Sequence, residues 1–457
     1  MKSFWRSLFL PLLPLVILGA GCGGSNAAEK LASQPVTITV WRVFDDDETL
    51  QTTMSAYQAL HPNISFNYRE LRFEEYEDEL LRAFAEGEGP DVFSIHNTWI
   101  GEYESLIQPL PDSLSIAYAQ TRGTIKKETV YTIEEEPSLS QRALKADYVD
   151  VVAQDVVRSY KANAKAQAED RIFGLPLSLD TLALYYNRDL LDLAGIAQPP
   201  AMWDQFQEAV TLLTKIGSNN QILQSGAAIG TSQNVERAFD IVSLLMMQNG
   251  TQMTDSRGRP TFAQESDAGF LGGEAVRFYT DFGNPAKAVY TWNEDQPDSF
   301  DAFVNGDTAF FFGYAYHEPL IRTGNSKLDF GIASVPQIDG GKTVNYANYW
   351  VETVAKSTDA GDWAWDFVQF ATRESQVGDY LSASHKPTAL RALIASQLDD
   401  EVLSVFAGQA LTADSWYKGS DAQVAEEAFL GLVDAVLAGE EQEAALKEAQ
   451  NKVNQSL

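Results

Sequence analysis

Cysteine is almost missing from this chain. Cys22 is the only one in 457 residues, so no disulfide can close within the chain and no paired-thiol metal or redox motif exists. Histidine is scarce too. His61, His96, His317 and His385 stand without the HExxH or paired-ligand spacing of a zinc site, and no metal site is expected. No GxSxG elbow, P-loop or GxGxxG fingerprint is present, so no catalytic residue and no cofactor is assigned and an enzyme is not expected. Positive charge is in short supply, 33 Lys and Arg against 64 Asp and Glu, for a formal net charge of -31. Such a charge repels nucleic acid, which is excluded as a partner. A bilayer-length apolar run is also lacking. Leu8 to Leu18 is too short, and Pro11 and Pro14 interrupt it.

What is present begins with that run. Lys2 and Arg6 precede it, and Gly19, Ala20 and Gly21 lead into Cys22, Gly23 and Gly24. The segment resembles a bacterial lipoprotein signal, except that Gly19 stands where such signals usually carry leucine. The resemblance implies removal of residues 1–21, lipidation of Cys22 and anchoring to the membrane at the extracytoplasmic face of the cell envelope. Residues 22–35 read as a small, polar tether.

Beyond the tether the pattern alternates. Val36 to Val40 is a strand, Trp41 to Asp47 a loop, and Glu48 to Leu60 a helix spaced by Leu50, Met54, Tyr57 and Leu60. Ile64 to Tyr68, Tyr76 to Glu86 and Val92 to Ile95 complete a βαβαβ series, which predicts a parallel sheet. Ligands of such sheets sit beyond the carboxyl ends of the strands. That rule points to Trp41 and Phe44, and to Asn97 and Trp99. The contiguous acids Asp45 to Glu48 lack the alternation of a calcium loop and read as a solvated helix start. Residues 121–146 read as a solvated hairpin, and 148–168 as an amphipathic helix.

The centre of the chain is RIFGLPLSLDTLALYYNRDLL, residues 171–191, in which Ser178, Leu179 and Asp180 interrupt two apolar runs. A strand pair buried on both faces leaves such an interruption at a boundary between two lobes. Here the sequence resembles the extracellular solute-binding proteins of the sugar-binding type, the maltose-binding-protein-like receptors of ABC importers. The stretches VTITVWRVFDDDETLQTTMSAYQALHPNISFNY, FAEGEGPDVFSIHNTW and SFDAFVNGDTAFFFGYAY follow in the family's order.

The resemblance implies an α/β, two-lobed periplasmic-binding-protein fold of type II. Lobe one is expected over 36–178 and 301–345, lobe two over 179–300 and 346–457, with hinges near Ser178 to Asp180 and Val344 to Trp350. It implies a monomeric receptor that takes a sugar or oligosaccharide from solution and delivers it to an ABC permease. A carbohydrate cleft pairs aromatic faces with amide and carboxylate hydrogen-bonding groups. Trp292, Tyr314, Tyr316, Trp350 and Trp416 lie in loops beside such groups and join Trp41, Phe44, Asn97, Trp99 and Asp180 as candidate ligand residues. Trp203, Trp363 and Trp365 read as core. Two alternatives stay open: the same fold holding a polyamine or other small solute, and a secreted carbohydrate-active enzyme.

Overall fold

The computed structural model describes residues 24–123 and 126–457. Cys22 and the signal segment lie outside the described residues. From Gly24 to Ser33 the expected tether is a helix, with Ala28 and Ala32 buried where it lies along the hairpin described below. The alanines of AAEKLA give it a small apolar face, which a reading based on polarity alone misses.

Strands β1 (Val36–Val43), β2 (Ile64–Leu71) and β3 (Val92–His96) alternate with the helices Asp47–Leu60 and Phe73–Glu86. β1 pairs in parallel with both β2 and β3, as the alternation predicts. β1 is longer than expected and takes in Trp41. β4 (Ser113–Arg122) and β5 (Glu128–Pro137) form an antiparallel hairpin that starts before the residues assigned to it. The expected helix over 148–168 is only Asp150–Val156. It is followed by the antiparallel pair β6 (Val157–Tyr160) and β7 (Glu169–Ile172). The adjacent β-branched Val156 and Val157 favour extension there, and Asn163 accepts a local bond from the Lys165 N–H.

The chain then crosses. Phe173, Leu175, Leu177 and Leu179 are buried in the first core. After the two-residue β8 (Asp180–Thr181), strand β9 (Ala183–Asn187) opens the second lobe. β10 (Lys215–Ile216), β11 (Ile222–Ala227), β12 (Thr308–Gly313) and β13 (Phe330–Ser334) join it in the sheet order β10-β11-β12-β9-β13.

Residues 301–345, expected in lobe one, therefore lie in lobe two: β12 pairs with β9 and β11, and β13 with β9. After β14 (Asn345–Asn348), strand β15 (Trp350–Val354) returns to the first lobe beside β3, giving a sheet ordered β15-β3-β1-β2. Trp363, Trp365 and Phe367 of the following helix are buried in that first core, so the expected placement of 346–457 in lobe two fails for this part. The helix Leu403–Gln409 already packs on β13, with Phe406 buried beside Phe311 and Phe330, and beyond β16 (Ala413–Asp414) the helices Ala422–Leu437 and Gln442–Gln455 join the second core. A strand buried on both faces carries no mark of which sheet receives it, and β12 and β15 are both of that kind.

Between the lobes β14 pairs antiparallel with β8 and parallel with β16. Three passages of the chain thus lie side by side in strands of two to four residues. Few backbone bonds tie these passages to one another.

Candidate ligand-binding site

Each strand of the first lobe's sheet carries one aromatic ring at the edge nearest the hinge. Phe44 follows β1, Phe73 follows β2, Trp99 lies just past β3, and Trp350 opens the antiparallel β15. Three of these rings form a near-parallel series with Tyr103. Phe44 lies 5.8 Å from Phe73 at 21°, Phe73 6.3 Å from Trp99 at 22°, and Trp99 6.1 Å from Tyr103 at 22°. Trp350 stands edge-on to Phe44, Phe73 and Trp99 at 5.8, 6.2 and 5.4 Å. Tyr103 is fully buried, whereas Phe73 is 47 % and Phe44 60 % exposed. Phe44 has φ 69°, a left-handed conformation that a phenylalanine rarely adopts.

Beside the rings, His96 Nε2 lies 3.3 Å from Asn348 Oδ1 of β14, and its Nδ1 lies 2.7 Å from Thr98 Oγ1. Burial lowers its pKa to about 4, so the ring is neutral. Asn97 is buried and donates through Nδ2 to Asp155 at 3.1 Å, while its Oδ1 has no hydrogen-bond partner among the described residues. Asp155 also accepts from Tyr349 Oη at 2.7 Å and Ser415 Oγ at 2.6 Å. The cleft loop and two of the three passages therefore share one carboxylate.

The second lobe supplies a polar wall. Tyr314 is buried and donates to Asp240 at 2.8 Å. Tyr316 is 42 % exposed, stacks 4.0 Å from His317 and is hydrogen-bonded to Arg237. The Arg237 guanidinium lies 5.3 Å from the Tyr314 ring centre and pairs with Glu236 at 3.0 Å, leaving its buried Nε without a partner among the described residues. His317 Nδ1 accepts the Tyr314 N–H at 2.9 Å, so Nε2 is the atom that donates to Glu236 at 3.3 Å. Burial opposes ionisation of Glu236, yet bonds from His317 and the charge of Arg237 hold it down at about 2. Asp180, half-buried at the first passage, accepts from the Ala315 and Thr181 N–H groups, both at 2.8 Å. Burial nonetheless pushes its carboxyl up to about 7.

Phe44, Trp99 and Trp350 thus come together in one array, and Asp180 and Tyr316 lie with Arg237 and the Ala315 backbone on the second lobe; Tyr314 is fully buried with its hydroxyl on Asp240, which corrects its assignment as a ligand residue, and Asn97 is buried against Asp155. Trp41, Trp292 and Trp416 do not join them. Trp41 points into the first core with the Arg69 guanidinium 4.6 Å from its ring centre. Trp292 is fully buried and donates to Asn234 Oδ1 at 3.1 Å. Trp416 packs against Phe429 and donates to Ser243 Oγ at 3.0 Å. All three faces are occupied by protein, which corrects their assignment as ligand residues. Asp45 departs from the solvated run as well: it is buried between Arg42 at 3.0 Å and Lys386 at 2.5 Å, and Arg42 also reaches Glu352 at 3.1 Å. Asp46 does cap the helix, accepting from the Thr49 N–H at 2.9 Å.

Residue reasoning missed Phe73, Arg237, Glu236, Asp240 and Asp155. Applying the strand-end rule to β2 as well as to β1 and β3 finds Phe73, whereas nothing local marks the others. Two depressions elsewhere, one lined by Ala428, Leu432 and Ala445 and one by Asn284, Asn293 and Asp434, contain none of the candidate residues. Among the described residues no cluster of three or more His, Cys, Asp or Glu could hold a metal ion.

Two α/β lobes with separate cores, joined by three short passages, are the architecture of a two-lobed binding protein. The chain belongs to the family of bacterial extracellular solute-binding proteins, whose family model matches residues 43–378. Its fold is shared by a cyclo/maltodextrin-binding protein solved with maltotetraose, at 16% identity and TM-score 0.69 over 92% of this chain and 97% of that one. It is shared also by the sugar-binding protein MalE of Xanthomonas citri, at 18% identity and TM-score 0.68 over 92% and 97%. A binding protein of Brucella abortus (strain 2308) is 26% identical over 172 residues, which span 37% of this chain and 38% of that protein. The match thus takes in well under half of that curated relative's length.

Proposed function

We propose that the protein is the substrate-binding receptor of an ABC importer, capturing a sugar or oligosaccharide between its lobes and presenting it to the permease. The observation that carries this reading is the pairing of an aromatic wall with a polar one. Trp99 and Trp350 offer apolar surface to the C–H faces of a pyranose. Across from them Arg237 Nε and, on the first lobe, Asn97 Oδ1 are a buried donor and a buried acceptor without partners among the described residues, which suits hydroxyl groups in both senses. The carboxylates of Asp180, Asp240 and Glu236 already accept from protein donors, which disfavours a polyamine. Contacts made to both walls at once favour the closed arrangement, and the permease distinguishes it from the open one. Cleavage before Cys22 and lipidation of its thiol hold the receptor at the extracytoplasmic face of the membrane, as a monomer.

Thermal shift and intrinsic fluorescence across mono- and oligosaccharides, with spermidine as a control, test the reading. A saturable response to a glycan, with no product after prolonged incubation, is expected. A response to spermidine alone, or glycan turnover, contradicts it.

A further inference from the structure

The hairpin β4–β5 is longer than the first core needs. Leu114, Ile116 and Ala117 are buried there and Tyr118 and Tyr131 pack against them, but from Ala119 to Thr129 every described residue is exposed. In a chain with 64 Asp and Glu the stretch from Ser113 to Lys127 holds none, and its cations Arg122, Lys126 and Lys127 gather at the turn. Gly123 makes that turn tight: it has φ 93°, and a Cβ on it would lie 2.2 Å from the Lys126 carbonyl oxygen. Among the described residues none of the three cations forms an ion pair, and the Arg122 side chain bonds to Gln120 at 3.2 Å.

The hairpin leaves lobe one on the side away from the cleft. Tyr118 lies 5.2 Å from His61, which stands just before the amino end of β2, whereas the candidate ligand residues follow the carboxyl ends of the strands. The helix Gly24–Ser33 lies along both strands of the hairpin. Its Ala32 belongs to the first core and Ala28, one turn earlier, is buried outside that cluster, so the helix leads outward from the core towards Gly24. From Ala32 to Gly24 it rises about 12 Å. From Tyr118 to Arg122 the strand rises about 14 Å, so the helix start and the hairpin tip stand at similar height. Cys22 is two residues from Gly24. That is a reach of about 7 Å, the depth of one headgroup layer.

We infer that the tip of this hairpin rests on the anionic phospholipid headgroups of the membrane that holds the acyl chains of Cys22. Arg122, Lys126 and Lys127 meet the phosphates, and lobe one stands on this end with the cleft clear of the membrane. This rests on the lipid-anchor reading above. Each cation near such a surface strengthens association by about fivefold. The anchor selects lipid over any other polyanion: in free solution a net charge of -31 repels them all, and only the membrane is held beside the tip.

The test uses the chain from Gly24 onward, which has no cysteine, held by a polyhistidine tag at its start on vesicles bearing nickel-chelating lipid. Thr121→Cys carries an environment-sensitive dye near the tip, and Leu193→Cys, exposed on lobe two, carries it as the control. With phosphatidylglycerol in the vesicles the dye at 121 is expected to shift its emission to the blue and to be quenched by spin-labelled headgroups; with phosphatidylcholine alone it does neither. Both signals are lost at high salt and in the double variant Lys126→Gln, Lys127→Gln, whose thermal midpoint is unchanged. A shift on both lipids, a shift at both dye positions, or none on phosphatidylglycerol overturns the contact and leaves the anchor reading intact. Mass spectrometry of Cys22 in the full chain tests the anchor separately: an unacylated thiol overturns that reading and the contact with it.

Discussion

Asp180 shows how a single carboxyl is set by its place at the first passage. It accepts two backbone N–H groups, yet burial dominates and raises it to about 7. An unfolded aspartate ionises near pH 4, so the unfolded state releases its proton first. The stabilisation is full below about pH 4, is lost as pH rises to about 7, and is level above that. Asp180→Asn removes this slope. In denaturant melts the wild type's advantage over the variant is expected to shrink from pH 5 to pH 8 by roughly 2 kcal/mol at most, because the carboxyl keeps partial access to water. A difference independent of pH contradicts the assignment. At this scale the sequence is partly readable. Asp180, Trp99 and Phe44 follow from strand ends and an interrupted apolar run. Trp292 and Trp416 do not, because an indole N–H beside a polar loop is satisfied equally by a ligand or by Asn234 and Ser243.

Among the elements, the hinge depends on one buried carboxylate. Asp155, on the helix Asp150–Val156, collects Asn97 from the cleft loop, Tyr349 from the second passage and Ser415 from the third. Asp155→Ala strands these donors in a dry site. It is expected to cost about 3 kcal/mol by chemical denaturation. A loss under about 1 kcal/mol would show that the donors find water or other partners. The βαβαβ opening was legible because its periods switch cleanly from two to 3.6. The allocation of β12 and β15 was not, since Thr308–Gly313 and Trp350–Val354 are buried on both faces and pair with strands far away in sequence. The helix Gly24–Ser33 was hidden by its low hydrophobicity, and β6 and β7 by a pattern that also fits a helix.

For the whole molecule, the two largest cores belong to different lobes, joined by short strands and by the helix Leu403–Gln409, whose Phe406 packs with Ala183, Phe311 and Phe330. A ligand that bridges the aromatic and polar walls shifts the equilibrium by no more than its differential affinity for the closed form. Trp99 and Arg237 belong to different lobes, so a ligand held by both must draw them together. The measurement that tests this most directly is small-angle X-ray scattering of the chain from Gly24 onward, alone and with a saturating glycan identified by thermal shift. The account predicts a smaller radius of gyration with the glycan, and loss of that change in Arg237→Ala at concentrations that saturate the wild type. An unchanged radius with bound glycan would contradict capture by closure.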